Sequence, residues 1–158
     1  MRAKEIINEL GNAGYQYQQE QPGLYIAQLP SGEELIVQFV RDVKMAPIGG
    51  NRRAAFITIE FFVGDEYRLT GTGDQFRILA TVMKILQDEL PRVIAPDIEF
   101  VDFTAESDEP SRIALYTKAA PRITQILQST GDQWKFDKTD YGSLIRFLWY
   151  RSINKDNS

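Results

Sequence analysis

The stretch from residue 55 to residue 104 limits the fold more than any other. Ile57, Ile59, Phe61 and Val63 alternate with Phe56, Thr58, Glu60 and Phe62, the two-residue period of a strand. Gly64-Asp65 suits a two-residue hairpin turn, and residues 66–70 read as the returning strand. Two closely spaced glycines follow, in Thr70-Gly71-Thr72-Gly73. Asp74 is a good N-cap, and Phe76, Leu79, Ala80, Met83, Leu86 and Leu90 recur every three or four residues. Pro91 is expected to stop that helix. Residues 98–104 alternate again. Strand, helix and strand in this order imply a right-handed parallel crossover.

The flanks add shorter elements. Residues 2–13 carry Ile6, Ile7 and Leu10 at helical spacing, ended by Gly11 and Gly14. Residues 16–21 are polar, either a loop or a frayed edge strand. Residues 24–29 and 34–40 read as strands joined by the turn Pro30-Ser31-Gly32. Residues 44–53 read as an exposed loop within one domain. After 98–104 comes an acidic loop, 105–108. Pro110 suits a first helical turn, Ile113, Leu115, Tyr116 and Ala119 continue a helix, and Gly131 closes it. Pro121 is expected to kink or split this helix. Two strands, 134–137 and 144–151, complete the pattern. In the second, Phe147 and Trp149 share a face and Tyr150 lies opposite. The pattern is α/β in content (α+β in arrangement), with a mixed, mostly antiparallel central sheet flanked by helices. One domain is expected over 1–153, with a disordered tail at 154–158.

Composition removes whole classes of chemistry. The 158 residues include no cysteine and no histidine. Disulfides, thiol nucleophiles, Ser-His-Asp triads and zinc sites built on Cys or His are therefore excluded. Chemistry must run on carboxylates, hydroxyls, amines, guanidinium or backbone groups. The net charge of −4 disfavours non-specific nucleic-acid binding. Arg52-Arg53 with Lys44 reads either as a local basic patch or as a solvated loop. Phe147, Trp149 and Tyr150 read either as a stacking platform for bases or as core. Glu106, Asp108 and Glu109 read as a solvated loop, and no compact carboxylate cluster announces a metal site. No segment approaches the roughly 18 consecutive apolar residues that cross a bilayer. The N-terminus lacks a signal-peptide core, so a cytoplasmic location without membrane contact is expected.

A strand that runs through two glycines into a helix presents backbone N–H groups at a helix N-terminus, a geometry able to hold a pyrophosphate. Arg68, Gly71 and Gly73 match the R/Q-x-x-G-x-G/A signature of the GNAT superfamily of N-acetyltransferases, which the order of elements over about 33–151 also resembles. Leu115-Tyr116 matches the end of that family's Asn-x-x-Ala-x-x-Leu/Phe-Tyr pattern. The chain departs from it in carrying Glu109 at the Asn position and Arg112 at the Ala position, and in lacking the Gly-Phe pair that commonly follows. The segments 70–73 and 109–116 also resemble uncharacterised phage-encoded proteins described as acetyltransferase-like.

The resemblance implies a set of roles. Acetyl-CoA would rest its pyrophosphate on Arg68, Gly71, Thr72 and Gly73, and the cofactor would wedge between two splayed parallel strands. Tyr116 would be the general acid towards the departing thiolate, and Glu60 or Glu66 the general base for a small-molecule or protein amine. Each residue has a second reading. The glycines can simply make the turn, Arg68 can pair with Glu60 or Glu66, and both glutamates can face solvent. Tyr116 can be a half-buried helix residue, and Ser111-Arg112 part of a salt-bridge network. Asp74 would compete with a pyrophosphate for the same N–H groups. The alternative is therefore a non-catalytic phage protein on this fold, binding a host or virion protein or forming part of the virion. The acceptor and the oligomeric state are not written in the sequence.

Overall fold

The structure, a computed structural model, describes residues 14–64, 75–131 and 133–153. Expectations for the helix at 2–13, the turn at Asp65, the strand at 66–70, the glycine loop, Asp74 and the tail fall outside those residues. Glu66, Arg68, Gly71, Thr72 and Gly73 are among them.

Among the described residues, seven strands form one sheet in the order β1-β2-β3-β4-β5-β7-β6. They are β1 (Tyr17–Gln21), β2 (Leu24–Gln28), β3 (Glu34–Met45), β4 (Arg53–Val63), β5 (Ile98–Glu106), β6 (Lys135–Asp140) and β7 (Leu144–Tyr150). Helix α1 (Gln75–Val93) lies between β4 and β5, and α2 (Pro110–Gln128) between β5 and β6. Every pairing among these described strands is antiparallel except β4 with β5. The sheet is therefore mixed and mostly antiparallel, as the pattern of hairpins around one crossover requires.

Several boundaries differ from the sequence reading. Of the two readings of the polar stretch at 16–21, the edge strand is the one observed, as β1 over Tyr17–Gln21, paired to β2. β3 runs on to Met45 and β4 begins at Arg53, so the expected loop at 44–53 shrinks to the tip of a long hairpin. Eleven opposed pairs zip β3 to β4, from Leu35↔Val63 to Met45↔Arg53. β4 is the parallel neighbour of β5 over residues 55–58. Pro91 does not stop α1, which continues to Val93. A proline in the last turn deletes a single intrahelical bond, while fully buried Leu90 still anchors the turn. Pro121 likewise leaves α2 unbroken, because Ala119, Ala120 and Ile123 on either side of it are packed in the core.

The two sheet faces have different tasks. Val37, Ile59, Phe61, Phe103, Phe147 and Trp149 face α1 and α2 and join their apolar stripes in the main core. Phe147 and Trp149 are fully buried, which rules them out as a base-stacking platform. The opposite face holds a smaller cluster of Ala54, Phe56, Phe100 and Leu148, with the Phe56 and Phe100 rings stacked at 4.7 Å. Among the described residues, no helix is long and apolar enough to cross a membrane.

Candidate functional site

The parallel pairing of β4 and β5 is short. It runs from Ala55↔Ile98 to Thr58↔Asp102 and stops there. Beyond that point both strands continue, β4 to Val63 and β5 to Glu106. Each keeps its outer partner: β3 stays on β4, and β7 stays on β5. Their facing edges therefore open into a V. Among the described residues, no strand fills it. Edges of this kind can receive an extended ligand that carries its own amides.

A cavity of about 310 Å³ occupies the V. Alternation along the strands decides what lines it. Thr58 and Glu60 project from β4 and Thr104 and Glu106 from β5 on the face away from the helices, while Phe61 projects towards them. The N-terminal turns of α2 close the helix side with Glu109, Arg112 and Tyr116. α2 begins here because Pro110 occupies its first turn, where a missing N–H costs nothing.

Tyr116 is wedged beneath the opening. Its ring centroid lies 4.2 Å from that of Phe103 on β5 and 4.9 Å from that of Phe61 on β4, edge-on to the latter. One aromatic ring thus bridges the two diverging strands. The residue is 1% exposed. Burial pushes its hydroxyl well above the ordinary tyrosine range. The charge of Arg112 pulls it back, as does the hydrogen bond that Arg112 makes with it, and the Glu109 and Glu60 carboxylates push it further up. The hydroxyl therefore stays protonated at neutral pH.

Arg112 is itself buried, and its Nε lies 3.4 Å from Glu109 Oε2. Glu109 Oε1 accepts a hydrogen bond from the Glu106 backbone N–H. The two departures from the family pattern, Glu109 and Arg112, thus form an ion pair beside Tyr116. The salt-bridge reading of Ser111-Arg112 holds for Arg112. The carboxylates of Glu106, Asp108 and Glu109 do converge, with oxygens within 4.8 Å of one another, which the sequence reading did not expect. One of the three is already committed to Arg112.

Of the sequence-derived site residues within the described structure, Glu60 and Tyr116 come together at one cavity, on opposite walls. Glu60 is half-buried, neither wholly solvent-facing nor enclosed. The basic patch does not form. Arg52 pairs with Glu99, Arg53 donates to the Val43 carbonyl at 2.8 Å, and Lys44 turns to Asp102.

A polar cluster at the apex of the V escaped the sequence reading. Asp102, only 1% exposed, accepts a hydrogen bond from the Thr58 hydroxyl at 2.6 Å. Its other oxygen lies 3.6 Å from Lys44 Nζ and 3.7 Å from Arg146 Nε. The signal was a carboxylate in the middle of an otherwise apolar strand, Phe100-Val101-Asp102-Phe103.

No protein-family model matches the sequence, and no curated protein matches it. Among solved structures, the chain is similar to an acetyltransferase of the GNAT family from Streptococcus pneumoniae. The identity is 11%, the match covers 82% of this chain and 67% of that one, and the TM-score is 0.39. The assignment of the site rests on strand pairing and side-chain placement.

Proposed function

We propose that the protein is an acetyl-CoA-dependent N-acetyltransferase that transfers its acetyl group directly to an amine. The observation that carries this reading is the V between β4 and β5, with Glu60 on one wall and Tyr116 at its base. Open strand edges fit an extended amide-bearing arm, and a cavity ending on a protonated hydroxyl fits a leaving thiolate. When bound, acetyl-CoA supplies the thioester carbonyl. Glu60 would take the first proton from the incoming ammonium, directly or through one water, to free a neutral amine. Tyr116 would protonate the departing sulfur, with Arg112 holding that hydroxyl in place, and the second proton, shed by the nitrogen as the amide forms, would return through water to Tyr116. Arg68, Gly71, Thr72 and Gly73 would hold the pyrophosphate. No covalent enzyme intermediate is required, which agrees with a chain lacking cysteine and histidine.

The test is release of free thiol from acetyl-CoA in the presence of a panel of primary amines. Amine-dependent release is expected. If every amine leaves the background rate unchanged, the catalytic reading fails.

A second reading is favoured by one observation. The Tyr116 hydroxyl is buried and already hydrogen-bonded to Arg112. On this reading the chain is a non-catalytic phage protein that binds a host or virion protein, and Tyr116 is a core residue. It predicts the chain in purified particles at fixed stoichiometry, or in a defined complex with a host protein. Particles and complexes lacking it would exclude that role.

A further inference from the structure

We infer that the acceptor is zwitterionic, a small molecule whose amine stands a few bonds from a carboxylate, such as an amino acid or short peptide. The inference rests on the acetyltransferase reading and names the acceptor of that same site.

The argument is one of charge placement on the sheet face away from the helices. Moving outwards from the apex of the V, the strands carry first cations and then anions. At the apex, two cations, Lys44 and Arg146, flank a single carboxylate, Asp102. That carboxylate is already shared with the Thr58 hydroxyl, so it cannot saturate both. Arg146 Nε is buried and makes no hydrogen bond; its nearest carboxylate oxygen, at 3.7 Å, is beyond hydrogen-bond distance. The side chains of Lys44 and Arg146 remain 36% and 25% exposed, so a ligand can reach them. Among the described residues the apex therefore has one surplus positive charge.

Further along each strand the sign reverses, two residues beyond Thr58 on β4 and four beyond Asp102 on β5. Glu60 follows Thr58 on the same face of β4, and Glu106 follows Asp102 and Thr104 on β5. Arg146 stands directly opposite Thr104, and Glu106 opposite Leu144, in the β5–β7 register. Arg146 and Glu106 thus lie at diagonal positions of one surface, roughly 7–8 Å apart at the Cβ atoms. Because side chains reach towards each other, that spacing suits a ligand whose two charges are separated by a few bonds. An ammonium between Glu60 and Glu106 would place its nitrogen in the cavity over Tyr116. Its carboxylate would fall on Arg146 and Lys44. An amine without an anionic group would leave the surplus cation unanswered and bury it, which is the kind of mismatch that discriminates between ligands.

The experiment measures binding and does not depend on turnover. The protein amino acids and alanyl dipeptides are titrated into the intact protein, each beside its C-terminal amide, and affinity is read by calorimetry or ligand-observed NMR. At least one acid is expected to bind about tenfold more tightly than its amide. The gap should shrink to within about twofold in Arg146→Gln and also in Lys44→Met, each checked for an unchanged circular dichroism spectrum. Lys44→Met is the safeguard should Arg146→Gln fail to fold. Equal affinities for acid and amide, a preference that survives both variants, or no acid bound at millimolar concentration would each overturn the inference. Acetyl-CoA titrated in parallel separates the two claims. Cofactor binding without acid preference sinks only the zwitterion, and acid preference without cofactor binding sinks only the acetyltransferase.

Discussion

On the proposed reading Tyr116 has two tasks, filling the gap between two diverging strands and offering a proton. The first is met by ring contacts to Phe61, Phe103 and Phe147. The second needs only the hydroxyl. Tyr116→Phe separates them, since it keeps the ring and removes the acid. We expect kcat to fall by about 10²–10⁴-fold, with KM for acetyl-CoA changed less than about twofold. A variant with wild-type kcat would show that Tyr116 is only core. The same side chain reports on pH. A tyrosine whose folded-state pKa is raised contributes stability that is present below the ordinary value of about 10 and lost as pH climbs through the folded value. Tyr17 and Tyr116 are both raised, chiefly by burial. Melting temperature should therefore decline steeply above about pH 10, and Tyr17→Phe should flatten that decline. An equally steep decline in the variant would remove Tyr17 from the account. At this scale the sequence was partly legible. Glu60 and Tyr116 could be named from spacing and resemblance. The Asp102 cluster could not, because Lys44, Thr58, Asp102 and Arg146 come from four strands and meet only through register.

The elements were more legible than their ends. Period-two alternation located β4 and β5, and period-three-and-four recurrence located α1 and α2, because core burial enforces those periods. Prolines misled, since a tertiary core holds a helix across them. The polar strand β1 was ambiguous, having little apolar signal of its own. What fixes it is a contact far away in sequence. The Tyr17 hydroxyl lies 3.1 Å from Asp88 and 3.0 Å from Glu89, both near the C-terminal end of α1. Glu89 is 8% exposed, and Tyr25 on β2 also hydrogen-bonds to it. These phenols tie the outer hairpin to the helix. Tyr17→Phe should cost about 1–2 kcal/mol in urea unfolding. It should also speed amide hydrogen exchange in β1 more than in β4. Uniform acceleration across the sheet would mean that the hairpin is not held locally by this contact.

For the whole molecule, the decisive feature is where pairing stops. Among the described residues, a sheet that is continuous along β3–β4 and β5–β7 yet unpaired between β4 and β5 beyond Thr58 and Asp102 sets a wedge against the N-terminal turns of a helix. The crossover was legible because β4, α1 and β5 appear in order with the right lengths. The extent of the splay was not, because both strands keep their alternation past Thr58 and nothing local records the loss of a partner. The account stands on that wedge receiving acetyl-CoA, with the pyrophosphate on the glycines at 71 and 73. Isothermal titration calorimetry of acetyl-CoA and CoA against the wild-type protein and Gly73→Asp tests this most directly. The account predicts a Kd on the order of micromolar for the wild type, with binding lost in Gly73→Asp while the circular dichroism spectrum is unchanged. No heat and no thermal shift at millimolar cofactor, or equal affinity in the variant, would contradict it.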